Sequence, residues 1–147
     1  MLLELLSQDE WSTRRPLQGV DLMDAREFYR KVADRTVLSK EEAADLTRAT
    51  FETLAHRVSA GEVRDLAGQL PEQLAEAIRR NGKSPERFGL DELIQRVSKR
   101  TGLNEAETTA GVRAVLVTLR EAVEETEFNN FMSQLPGEFT RLLEPAA

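Results

Sequence analysis

The tripeptide Gln-Leu-Pro occurs twice in this chain, at positions 69–71 and 134–136. Subtracting 69 from 134 gives an offset of 65, and this offset aligns residues 27–74 with residues 92–139 without a gap. Self-similarity at a fixed period indicates a duplicated structural unit. The identical pairs at this offset include Arg35 and Arg100, Thr53 and Thr118, and Glu62 and Glu127.

Apolar character is kept at many aligned positions where the residue itself changes, for example Phe51 with Leu116 and Leu66 with Phe131. The chain has 40% hydrophobic and 31% charged residues but only 5% aromatic ones, which favours helices over a β-sandwich. We therefore predict an all-α fold, a helical bundle built from two pseudo-symmetric tandem repeats of about four helices each.

The repeat also predicts the domain organisation. We expect an N-terminal arm at residues 1–22, a first half at residues 23–81 and a second half at residues 82–147, packed as one compact domain. The arm has a short apolar run, and Pro16 and Gly19 interrupt any long helix in it. The arm is either mobile or docked in an apolar groove.

Helix starts are indicated by side chains that cap free backbone N–H groups. Asp24 is a candidate cap of the first helix, and we predict that the second helix runs to about Val58. Gly102 is predicted to end the first helix of the second half. Three further starts have the spacing of a capping box: Ser39 with Glu42, Ser59 with Glu62, and Asn104 with Glu107.

The two Gln-Leu-Pro segments are interpreted as structural corners. The leucines fit core positions, and a proline is tolerated where a new helix begins because its missing N–H would be unpaired there. A recognition surface is the alternative interpretation. The six residues are Gln69, Leu70, Pro71, Gln134, Leu135 and Pro136.

A long helix followed by Gly-Glu-x-Arg-Asp-Leu-Ala-x-Gln-Leu-Pro, here residues 61–71, resembles the bacterial family catalogued as domain of unknown function 2267. The second copy departs from this pattern, with Asn129 and Asn130 at the positions of Arg64 and Asp65. The resemblance implies a helical two-repeat protein without an established activity. It provides no catalytic residues and no cofactor.

Candidate chemistry is sparse in the sequence. The chain has no cysteine, and its eight glycines form no phosphate-binding loop. A serine nucleophile would need a positioned base, and no Gly-x-Ser-x-Gly turn is present. His56 is the single histidine and is interpreted as solvated rather than metal-bound. We therefore expect no catalytic, cofactor-binding or metal-binding residues, and no enzyme.

A basic patch stands out against the formal net charge of −6. Phosphate-backbone affinity depends mostly on Lys and Arg, so the patch is either a weak nucleic-acid contact or simply a solvated face. The overall charge favours the solvated face. The candidate contact residues are Arg79, Arg80, Lys83, Arg96, Lys99 and Arg100.

These observations favour a non-catalytic protein-protein interaction or scaffold module, with self-association as a homodimer among the options. Weak nucleic-acid binding through the basic patch is the alternative. An enzyme with an unrecognised site ranks third, and a ligand pocket between the halves would be its first sign. No basic n-region precedes the apolar N-terminal run and no run approaches the length of a membrane span, so we expect a cytoplasmic protein.

Overall fold

The computed structural model describes residues 23–79 and 85–144, and within these two ranges all regular structure is α-helical. The predicted all-α class is therefore confirmed, with eight helices in the described part of the chain. They are α1 (Ala25–Asp34), α2 (Lys40–Leu54), α3 (Ala60–Ala67), α4 (Glu72–Arg79), α5 (Leu90–Thr101), α6 (Glu105–Ala122), α7 (Glu125–Ser133) and α8 (Gly137–Leu143). The predicted arm at residues 1–22 lies outside the described residues, as do Arg80, Gly82 and Lys83.

The start of α2 is closed by a complete capping box, as the sequence predicts. Ser39 Oγ accepts a hydrogen bond from the Glu42 N–H, and the Glu42 carboxylate accepts one from the Ser39 N–H. Asn104 and Glu107 form the same reciprocal pair at the start of α6. Two of the three predicted boxes are therefore confirmed.

The third predicted capping box is only half formed. Ser59 Oγ accepts from the Glu62 N–H at 3.2 Å, but the Ser59 N–H donates to Gln134 Oε1 at 2.8 Å instead of to Glu62. The expectation that Glu62 closes the box is wrong because a side chain from the second half occupies its place. Glu62 is free to turn elsewhere.

The end of α2 also differs from the sequence prediction. The helix stops at Leu54 rather than near Val58, since the N–H groups of His56 and Arg57 bond to carbonyls three residues earlier. Such bonds tighten the chain into a 3₁₀-like turn. Gly102 ends α5 as predicted, in the left-handed conformation with φ of 80° that favours glycine.

Helix α2 lies at the centre of the fold and contacts α1, α4, α5 and α6. It therefore packs against helices of both halves. Its buried Thr47, Thr50 and Thr53 each donate the side-chain hydroxyl to a carbonyl four residues earlier at 2.7 Å. These bonds satisfy polar groups that would otherwise be costly to bury. Phe28 of α1 meets Phe51 of α2 edge to face at 5.7 Å between ring centroids.

The Gln-Leu-Pro segments lie at the α3–α4 and α7–α8 corners. Leu70 and Leu135 are buried in the core. Pro71 and Pro136 precede the first residue of α4 and α8, and their carbonyls accept the first hydrogen bonds of those helices. None of the helices in the described ranges is both long enough and apolar enough to cross a bilayer.

Candidate functional site

A pocket of about 350 Å³ opens between α2 and α5, where the first half meets the second. One wall comes from α2 and the turn after it, and the other wall comes from one face of α5. The lining residues are Glu52, Thr53, His56, Arg96, Lys99 and Arg100. We call this site the α2–α5 pocket.

Glu52 is a buried residue of the α2–α5 pocket lining. Its exposure is only 6%, and Arg100 holds its carboxylate with an Nη2 to Oε1 distance of 2.5 Å. Acidic residues are rarely buried to this extent unless they are paired. At the 65-residue offset the counterpart of Glu52 is Val117, so the equivalent position in the other half has no carboxylate. The buried carboxylate is therefore a feature of the first half that its aligned position in the second half lacks.

Arg96 is fixed at the pocket rim by acids on both sides. Its Nε donates to Glu92 at 2.8 Å and its Nη2 to Glu86 at 3.1 Å, while its guanidinium lies 4.3 Å from the Phe88 ring centroid. The hydrogen bond to Glu92 leads the effects that raise the pKa of Arg96. His56 Nδ1 approaches the same Glu86 carboxylate at 3.3 Å. The rim therefore mixes positive and negative charge.

The structure unites only part of the basic patch that the sequence indicates. Arg96, Lys99 and Arg100 line one pocket, because they lie on one stretch of α5. Arg79 is on α4 and pairs with Glu72 at 2.8 Å. Arg80 and Lys83 lie outside the described residues. Among the described residues, the three cations of α5 share one site, and the wider patch from Arg79 to Arg100 stays a prediction.

The aligned place in the other half is closed by an ion pair. Arg35, the counterpart of Arg100, donates to Thr118 Oγ1 at 2.8 Å and to Glu121 Oε2 at 2.7 Å. Lys31 adds a contact to Glu121 at 3.5 Å. The hydrogen bond from Arg35 is the main cause that holds the pKa of Glu121 below its ordinary value. His56 aligns with Glu121 at the 65-residue offset. Arg100 therefore has no counterpart of the acid that pairs with Arg35, and it pairs with Glu52 instead.

The glutamines of the two Gln-Leu-Pro segments bind across the halves. Gln134 accepts from the Ser59 N–H at 2.8 Å and donates to Ser59 Oγ at 3.2 Å. Gln69 accepts from the Glu124 N–H at 2.8 Å and donates to Glu124 Oε1 at 3.3 Å. Ser59 and Glu124 differ by the same 65 residues as the two glutamines. Each glutamine therefore holds the residue before α3 or α7 in the opposite half, and we call these contacts the glutamine clamps.

Between the clamps, Glu62 of α3 meets Glu127 of α7. The two carboxyl groups are close enough to influence each other's protonation, and the Oε2 atom of each is buried without a hydrogen-bond partner. Desolvation is the largest of the effects that raise the pKa of Glu62 to about 8, and the neighbouring Glu127 adds to it. A carboxyl with this pKa keeps its proton at neutral pH and can donate it.

Sequence reasoning missed Glu52 and the meeting of Glu62 with Glu127. For Glu52, the available signal was that the aligned residue, Val117, has no charge. For the acid pair, the signal was that glutamate occurs at both aligned positions. Neither signal states which residues touch. Only the packing of α2 on α5 and of α3 on α7 provides that information.

Comparison with known proteins supports one assignment. A search of the curated proteins finds no match. A model of the family described as "Uncharacterized conserved protein (DUF2267)" matches residues 25–142, which is most of the chain and nearly all of the described helices. The resemblance to domain of unknown function 2267 is confirmed by this match, and the chain belongs to the DUF2267 family of uncharacterized conserved proteins.

Proposed function

We propose that the protein is a non-catalytic interaction module, and that the α2–α5 pocket receives an acidic segment of a protein partner. The observation that carries the proposal is the convergence of Arg96, Lys99 and Arg100 on one wall of a pocket that both halves build. Three cations on one wall favour a negatively charged guest and raise its association rate.

Arg100 is the proposed primary contact for that segment. Its side chain is 53% exposed, and its guanidinium pairs with the carboxylate of Glu52. A guanidinium has five N–H donors in a planar fork and can bind a second carboxylate with those that remain. Lys99 lies beside it with its side chain exposed to solvent. Glu52 therefore orients Arg100, and a carboxylate of the partner binds the N–H donors that remain.

The proposal includes a pseudo-symmetric arrangement of two repeats. Three sets of contacts support it. Each set either joins two residues that are 65 positions apart or repeats one contact at two places that are 65 positions apart. In such an arrangement two equivalent grooves exist, and the ion pair of Arg35 with Glu121 fills one of them. The supporting contacts are the two glutamine clamps, the pair Glu62 and Glu127, and the pair Leu46 and Gly111.

Nucleic-acid binding is the less favoured candidate. Arg79 pairs with Glu72 and does not line the pocket, so the cations that the described residues bring together number three, too few to follow an extended phosphate backbone. The formal net charge of −6 further opposes a polyanion with many phosphates. We also propose a cytoplasmic setting, which the cysteine-free composition favours.

The test is an NMR titration of the ¹⁵N-labelled chain with hexaglutamate, with hexaglutamine as the uncharged control peptide. We expect shifts of the amides of α5 and of the turn after α2 with hexaglutamate only. Arg100→Glu should abolish the shifts, whereas Lys40→Glu, the same charge change at an exposed position at the start of α2, should preserve them.

Two results would overturn the proposed function. One is the absence of α5 shifts at millimolar hexaglutamate. The other is binding of single-stranded DNA through α5 with an affinity that falls steeply with salt while hexaglutamate has no effect, which would favour the nucleic-acid candidate.

A further inference from the structure

Helices α3 and α7 are in contact, and the charged side chains that influence each other across them are two acids, Glu62 and Glu127. We propose that this contact is a pH-operated latch, in which Glu62 and Glu127 share one proton between their carboxyl groups. The latch is closed while the proton is present and is weakened when it is lost. The inference is independent of what the α2–α5 pocket binds.

The two carboxyl groups need a positively charged species, a proton or a metal ion, between them. Glu62 is only 7% exposed, Glu127 is half-buried, and each has an Oε2 atom that is buried without a hydrogen-bond partner. Two ionised carboxylates are unfavourable as neighbours here, because like charges repel strongly in a poorly solvated place. One shared proton turns the repulsion into a hydrogen bond and satisfies both oxygens.

The surroundings offer little compensation for a second negative charge. The charged groups that act on Glu62 are Glu127 from α7 and Asp65 from its own helix, and both are acidic. Helix α4, which also packs on α3, presents Leu74 and Ile78 to the core. The charged residues of α4 are all exposed: Glu72, Glu76 and Arg79. Burial and the neighbouring acids together keep the pKa of Glu62 at about 8.

A metal ion is a poorer occupant than a proton. Divalent cations such as Mg²⁺ and Ca²⁺ need six or more oxygen ligands, several of them from the protein or from bound water. Within residues 23–79 and 85–144 no group of three or more His, Asp or Glu side chains is arranged to hold a metal ion. The acid pair supplies two carboxyl groups, which are enough to hold a proton.

The latch is local because other contacts keep the halves together. The glutamine clamps hold the first turns of α3 and α7, and α2 packs against α5 and α6 independently of the acid pair. Loss of the proton therefore separates α3 from α7 around Glu62 without unfolding the bundle. Surface that is covered at neutral pH becomes accessible above about pH 8.

The experiment combines carboxyl NMR with amide hydrogen exchange on the full chain. We expect the Glu62 carboxyl carbon to titrate near pH 8 and to move to lower pH in Glu127→Gln. Between pH 6.5 and pH 9, exchange corrected for its intrinsic pH dependence should accelerate at least tenfold in α3 and α7 but not in α6. Glu62→Gln, which mimics the protonated acid, should remove this acceleration, and the exposed control Glu76→Gln should retain it.

Three outcomes would overturn the latch. A Glu62 carboxyl that titrates below pH 5.5 would exclude proton sharing. An acceleration that persists in both Glu62→Gln and Glu127→Gln would place its cause elsewhere, and the second variant serves if the first does not fold. Restoration of slow exchange at pH 9 by millimolar Mg²⁺ or Ca²⁺ would identify a cation as the occupant.

Discussion

Gly111 of α6 lies against Leu46 of α2 so closely that a Cβ atom on Gly111 would come within 2.5 Å of Leu46 Cδ1. The two residues are separated by the 65-residue offset, so α2 and α6 cross at positions that are aligned in the sequence. A large residue on one helix and a residue without a side chain on the other let the two axes approach. Helices α2 and α6 thus differ in side-chain size at the point where they cross.

Gly111→Ala is expected to destabilise the protein by about 1 to 2 kcal/mol. Overpacking a core costs roughly 1 to 3 kcal/mol, and the better helix propensity of alanine returns up to about 1 kcal/mol. Urea denaturation followed by circular dichroism measures the change. Gly61→Ala in α3 is the matched control, because a Cβ there meets only the end of the Arg64 side chain at 3.8 Å. If both variants are equally stable, the close approach of α2 and α6 is wrong.

The glutamine clamps give a second prediction. Gln69→Ala and Gln134→Ala each remove two hydrogen bonds across the halves and should cost about 1 to 2 kcal/mol. Thermal unfolding of the single variants and of Gln73→Ala, an exposed glutamine on α4, checks this. Gln69→Glu should cost more than Gln134→Glu, because only the former places a carboxylate against the Glu124 carboxylate. Equal effects of the two glutamate variants would contradict the assigned contacts.

Local signals explain why much of the fold is readable from the sequence. Asp24, Ser39 and Asn104 cap helices with partners three residues away, so spacing alone identifies them. Gly102 marks a helix end because few other residues adopt its positive φ. The helix pattern and apolar register therefore predict the eight helices of the described residues.

Contacts across the halves could not be predicted in the same way. The sequence assigns Gln134 to a corner, but its partner Ser59 is 75 residues earlier and is found only once α3 meets α7. The expected Ser59 capping box fails for the same reason. Glu52 has the sequence context of a solvated helix position, and only the packing of α5 over α2 buries it. Local periodicity defines helices, whereas the site depends on which faces meet.

Leu70 is a test of the corner at the end of α3. It is 5% exposed, so removing its side chain leaves a cavity in the core. Leu70→Ala is expected to cost about 2 to 5 kcal/mol, as for other buried leucines. The denaturant midpoint should fall, while Val37→Ala, at the exposed position before Leu38, should leave it within about 0.5 kcal/mol of the parent chain. An unmoved midpoint for Leu70→Ala would contradict its place in the core.

The two perturbed glutamates should affect stability in opposite pH ranges. The folded-state pKa of Glu121 is lowered, chiefly by Arg35, so its stabilising contribution is present above the unfolded value of 4.5 and is lost as the pH falls below it. The folded-state pKa of Glu62 is raised, so its contribution is full below pH 4.5 and is lost as the pH rises to about 8. Stability measured by urea denaturation from pH 3 to pH 9 should therefore fall on both sides. Arg35→Gln should flatten only the acid side and Glu62→Gln only the alkaline side, since each change removes one cause. A variant that flattens both sides, or neither, would show that these two acids do not govern the profile.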